Sequence, residues 1–127
     1  MDNKKAIKYQ IVKVTVNVAG ETININVTTD KMYKKITGIL VSFPYHVWFL
    51  HKSCLSLQIN DKEIFPDDFE VKLVTYGMGI PTNELFYQVD EEANGSTIKG
   101  KFRDGGEMLG ISFPYTANIY LRLEEKN

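Results

Sequence analysis

The sequence predicts an all-β protein: a single antiparallel β-sandwich of jelly-roll or Greek-key type, with about eight strands. Two observations carry this. Apolar residues recur at every second position in short segments, the period of a half-buried strand. Those segments are separated by clusters of Gly, Pro, Asn and Asp, and no stretch shows sustained helical periodicity.

The segments follow in order. "VTVNV" at 14–18 sets Val14, Val16 and Val18 against Thr15 and Asn17, and "TININVT" at 22–28 repeats the pattern with Ile23, Ile25 and Val27. The short "AGE" between them, with Gly20, predicts a hairpin. Asp30 could cap one helical turn in "DKMYKKI". A strand over 35–43 would present Thr37, Ile39, Val41 and Phe43 on one side. "CLSLQIN" at 54–60 turns Leu55, Leu57 and Ile59 inward and leaves Cys54 on the polar side; a tight turn at Asn60 and Asp61 follows. Further strands are expected at 69–77, 85–89 and 97–102, with "DEEANGS" at 90–96 as a turn, and a last one at 118–124. The expected core is Val14, Val16, Ile23, Ile25, Ile39, Val41, Leu55, Leu57, Val71, Leu73, Ile119 and Leu121. Full burial of each would contribute roughly 1.5–3 kcal/mol.

"SFPY" occurs twice, at 42–45 and 112–115. Proline lacks an N–H and is unwelcome in a central strand, so each copy should end a strand or mark a corner. The Phe would anchor inward and Tyr45 or Tyr115 would sit at the rim with its hydroxyl near water. The repeat therefore concerns architecture before activity.

Composition narrows the function classes. The 127 residues suit one domain, and 43 % hydrophobic with 24 % charged residues is ordinary for a folded chain. A net charge of -1 argues against a general nucleic-acid binder. Residues 1–63 carry 9 basic and 5 acidic side chains, residues 64–127 carry 6 and 11, so the two halves could serve as complementary surfaces between subunits. One cysteine, Cys54, excludes an internal disulfide, and no apolar run is long enough for a leader or a membrane span. Synthesis in a reducing cytoplasm is expected.

Catalytic signatures are not evident. His46 and His51 flank Trp48 at an odd separation that puts them on opposite faces of a strand, and Cys54 does not complete a zinc set. "GMG" at 77–79 and "GG" at 105–106 stand outside any phosphate-loop context, and no nucleophile elbow or triad is recognisable. Acidic residues group as Asp61 with Glu63, Asp67 with Asp68, Asp90 with Glu91 and Glu92, and Asp104 with Glu107; these read as solubilising turn residues rather than a calcium or glycosidase site. No enzyme activity, metal or cofactor is expected. The aromatic crowd Phe43, Tyr45, Trp48 and Phe49 leaves three roles open: core, subunit contact or sugar platform. Residues 1–10, "MDNKKAIKYQ", form an N-terminal arm before a sandwich domain at 11–127. Ile7 and Tyr9 on that arm are available for exchange between subunits. The interface candidates are thus Ile7, Tyr9, Tyr45, Trp48 and Tyr115; the glycan-facing alternative is Tyr45, Trp48, Tyr76 and Tyr87.

"LSLQINDKEIFPDDFEVKLV" and the closing "FPYTANIYLRLEEKN" resemble small β-sandwich structural proteins of tailed bacteriophages, nearest to the capsid-associated, decorating or auxiliary proteins of crAss-like phages of gut Bacteroidales. The resemblance covers roughly residues 36 to 125 and rests on the order of strands and corners. It implies a virion subunit, usually oligomeric, that docks on the phage major capsid protein or another virion protein, with no catalytic residues. The alternatives are a carbohydrate-binding β-sandwich module and a non-viral structural or assembly protein.

Overall fold

The computed structural model describes residues 6–42, 52–74, 86–107 and 111–125. Eight strands form the described part: β1 Ile7–Val16, β2 Thr22–Thr28, β3 Lys35–Ser42, β4 Cys54–Ile59, β5 Lys62–Phe65, β6 Tyr87–Glu92, β7 Thr97–Arg103 and β8 Tyr115–Glu124. They make two four-stranded antiparallel sheets, ordered β1-β8-β3-β6 and β2-β7-β4-β5. This is jelly-roll order. Strands pair 1 with 8, 2 with 7, 3 with 6 and 4 with 5, as if one long hairpin had been rolled into a sandwich.

The rolling corrects the expected hairpin at 14–28. β1 pairs with β8 and β2 with β7, so the turn between β1 and β2 arches from one sheet to the other. Each strand's apolar face looks into the sandwich, which satisfies the period-two pattern as well as a flat hairpin would. Among the described strands, only β4 and β5 are sequential neighbours within one sheet. Their turn is the expected one at Asn60 and Asp61, both at positive φ (50° and 67°), a conformation Asn and Asp tolerate better than most residues.

The interior is filled by Val12, Val14, Val16, Ile25, Ile36, Ile39, Val41, Leu55, Leu57, Ile59, Phe65, Val71, Val74, Ile98, Phe102, Ile119, Leu121 and Leu123, all buried, with Ile23 packed against them. Leu73 is a correction: it is 59 % exposed. Of the strand expected at 69–77, residues 75–77 lie outside the described residues, and 69–74 instead form a bridge of Glu70 to Cys54 and a 3₁₀ turn at Val71–Val74, with the Leu73 N–H donating to the Glu70 carbonyl at 3.1 Å. Inward positions then recur every three residues, at Val71 and Val74 rather than Val71 and Leu73. A register shift between Ile36 and Gly38 likewise turns Thr37 away from Ile39 and Val41 and puts Ile36 inside. Asp30 caps a turn, accepting from the Met32 N–H at 2.8 Å, and the chain enters β3 without a helix.

The uneven charge is used within the molecule. Each sheet interleaves strands from the basic and the acidic half, so the halves meet each other rather than forming two outward faces. Lys35 pairs with Asp90 at 2.8 Å and Lys62 with Glu91 at 3.0 Å, the latter crossing from one sheet to the other. Exposed pairs of this kind contribute about 0–1 kcal/mol each.

Candidate functional site

Three places emerge when the expected site residues are located. The first is the outer side of β1. Residues 7–10 are not a loose arm: Ile7 lies opposite Glu124 and Gln10 opposite Leu121, in register with β8 of the same chain. Deleting residues 1–10 would therefore strip part of a ten-residue pairing and damage the fold. Among the described residues β1 is nevertheless an edge strand, paired on one side only. Val12, Val14 and Val16 point inward, so the alternate positions face out, and Ile7, Tyr9 and Ile11 lie there 52 %, 48 % and 47 % exposed. Ile11 went unnoticed in the sequence because it opens the domain assigned to core packing. Phe86 lies over Gly38 on this outer face, and its ring touches Tyr9 at 5.7 Å and the Arg122 guanidinium at 5.1 Å. Arg122 in turn donates to the Thr37 hydroxyl and carbonyl, tying β8 to β3 beneath the aromatic pair.

At its open end β1 is stitched to β2. The Gln10 amide donates to the Thr28 carbonyl at 3.0 Å and accepts from the Asp30 N–H at 3.1 Å, and Lys8 pairs with Asp30. The hydrogen bond from Lys8 holds the Asp30 carboxyl below its ordinary pKa, and the same bond raises that of Lys8. A depressed carboxylate stabilises the fold above its unfolded pKa and loses that effect as pH falls through the folded value. The urea midpoint of Asp30→Asn should therefore lie slightly below that of the parent chain at neutral pH, and the gap should close below about pH 4. A gap that persists into acid would contradict the pairing.

The second place is the proline corners. Tyr115, expected at the rim, is only 5 % exposed and points inward at the start of β8. Its hydroxyl donates to Asp104 Oδ1, and Asp104 Oδ2 accepts from the N–H groups of Gly20 and Gly106 at 2.9 Å each. Gly20, at φ 77°, is the arch residue between β1 and β2. The second SFPY is thus a knot joining that arch, the exit of β7 and the entry of β8, and Tyr115 is not offered to a partner. Tyr45, Trp48 and Tyr76, with His46 and His51, lie outside the described residues. Tyr87, the remaining glycan-facing candidate, is 39 % exposed at the opposite edge of the sandwich. It packs edge-on against Phe65 at 5.0 Å and Phe69 at 6.1 Å, while those two rings stack at 4.3 Å. Tyr87 thereby closes the gap between β6 and β5.

The third place had no counterpart in the sequence reading: a polar trough along the outer face of β2-β7-β4-β5. The strand registers set its residues in three rungs, Asn26–Lys99–Gln58–Glu63, Asn24–Lys101–Ser56 and Thr22–Arg103–Cys54. Two hollows of about 540 and 340 Å³ run along it and share Ser56, Asp67 and Lys101. Arg103 is held by Asp68 at 2.6 Å and donates to the Cys54 sulfur at 3.3 Å; both contacts, Asp68 first, favour its charged form. Alternation marks these residues only as outward-facing. Their convergence depends on β7 pairing with β2 and β4, partners more than thirty residues away in sequence, which no local pattern shows.

Among the described residues, no group of three or more His, Cys, Asp and Glu is placed to hold a metal ion, and no helix is long and apolar enough to cross a membrane. Compared with protein-family models, with curated proteins and with solved structures, the chain gives no match.

Proposed function

We propose that this chain is a structural subunit that works by assembly: a jelly roll that decorates a phage capsid, docking on neighbours through the outer edge of β1. The observation that carries the reading is the state of that edge. A soluble monomer blunts its edge strands with charge, proline or brevity. β6 is blunted by Asp90, Glu91 and Glu92, β5 is four residues long and is followed by Pro66, and β2 turns only the polar Thr22, Asn24, Asn26 and Thr28 outward. β1 is ten residues long, contains no proline and displays Ile7, Tyr9 and Ile11; of its two lysines, Lys8 is paired with Asp30 and Lys13 lies beyond the apolar stripe. An added strand there would gain backbone hydrogen bonds and bury the three side chains together. Jelly rolls serve capsids among other roles, and the fold supports the reading by analogy. The resemblance to crAss-like phage auxiliary proteins supplies the virion setting.

Size-exclusion chromatography with light scattering tests this on the pure chain and on its mixtures with phage major capsid protein. The parent chain is expected to form an oligomer or to co-elute with the capsid protein. Tyr9→Lys or Ile11→Lys should weaken that association by roughly tenfold or more while leaving the circular dichroism unchanged. A strict monomer at high concentration that binds no virion component would defeat the proposal.

A further inference from the structure

We infer that the trough on the second sheet is a binding site for an acidic glycan, a hydroxyl-rich chain carrying a carboxylate. The site lies on the opposite sheet from the β1 stripe and does not depend on the assembly proposed there.

The argument starts from charge. Among the described residues, Lys99 and Lys101 have no ion-pair partner, whereas Arg103, next along the same strand, is neutralised by Asp68. The two free ammonium groups sit on the central strand β7, two residues and so about 6.6 Å apart along it. A carboxylate placed between them would meet two cations without displacing an existing pair. Flanking them are primary amides, Asn24 and Asn26 on one bank and Gln58 on the other, where the Ser56 hydroxyl joins it beside Lys101. An amide offers both donors and an acceptor, and sugar hydroxyls demand both at once.

The far bank narrows the ligand class. Glu63 and Asp67 line the same hollow. Carboxylates accept hydrogen bonds from sugar hydroxyls but repel closely spaced phosphates, so a nucleic-acid strand or polyphosphate is disfavoured where a sparsely charged glycan is not. No exposed aromatic ring lies among the lining residues, since Phe65 is buried. Recognition here is by hydrogen bonds and charge, unlike the aromatic platform sought in the sequence.

Isothermal titration of the full chain with a glucuronate-capped xylobiose and with sialyllactose, each carrying a single carboxylate, tests the inference and separates a uronate from a sialate ligand. Lactose serves as the neutral probe and a single-stranded oligodeoxynucleotide as the phosphate probe. The expected result is saturable binding of at least one acidic glycan, weaker or no binding of lactose, and none of the oligonucleotide. The surface double variant Lys99→Gln with Lys101→Gln should lose roughly tenfold or more in affinity. Lys13→Gln, on the other sheet, should lose nothing. Unchanged circular dichroism in both variants assigns any loss to the site. The inference is overturned if neither acidic glycan binds at millimolar concentration, if the double variant binds as well as the parent, or if the oligonucleotide binds as tightly as the glycan.

Discussion

The Gly100→Ala variant is expected to unfold at much lower urea than the parent chain, with a loss of about 3 kcal/mol or more. Gly100 sits in the middle of β7, opposite Ile25 on β2 and Leu57 on β4. A Cβ there would lie 2.0 Å from the Ser56 carbonyl oxygen, 3.0 Å from its carbon and 3.1 Å from the Leu57 Cα. All three are main-chain atoms, so no rotamer change relieves the overlap. β7 and β4 would have to separate at the centre of the second sheet, stretching their shared ladder and opening the core beneath Leu57. Gly20→Ala is the matched control. That glycine has nothing within 4 Å of a Cβ, and its cost is the backbone strain of φ 77° alone, about 1–2 kcal/mol. Equal stability of the two variants in urea denaturation would contradict the close approach at Gly100.

Asp104→Ala should cost about 3–5 kcal/mol, because it strands several donors at once. The Gly20 and Gly106 N–H groups and the Tyr115 hydroxyl all lose their acceptor in a place where Asp104 is only 4 % exposed. Asp104 also donates its own N–H to the Glu21 carbonyl at 2.9 Å, so the knot holds the β1–β2 arch from two directions. Tyr115→Phe removes one partner only and should cost about 1–2 kcal/mol. A loss within about 0.5 kcal/mol for Asp104→Ala, as for an exposed substitution, would show that the knot does not hold the corner.

Asp104 also shows why the sequence conceals part of this molecule. It reads as one of four small acidic groups in turns, because nothing near it in sequence announces burial. Its partners come from residues 20, 106 and 115, two of them distant, and only the rolled topology brings them together. The strands themselves were largely legible. Period-two patterns at 22–28, 54–60 and 97–102 placed β2, β4 and β7 within about a residue, since burial on one face dictates alternation whatever the partner. Pairing was not legible: the same alternation at 14–28 suits a hairpin or an arch, and the choice is made by β7 and β8 far downstream. β5 escaped notice because "KEIF" is short and starts with two charges, and the start of β1 because Ile7, Tyr9 and Ile11 carry apolar residues on the outward side. The trough was invisible for the same reason as the pairing: its rungs exist only once three or four strands are in register.

Amide hydrogen exchange on the parent chain, compared between dilute solution and conditions that favour assembly or capsid binding, tests the central claim most directly. A docked strand would protect amides along the open edge of β1 that are unpaired in the isolated chain. The account predicts added protection in residues 7–16 with little change in β5 or β6, and loss of that protection in Tyr9→Lys. Protection gained at β5 and β6 instead, or none gained anywhere on association, would contradict it.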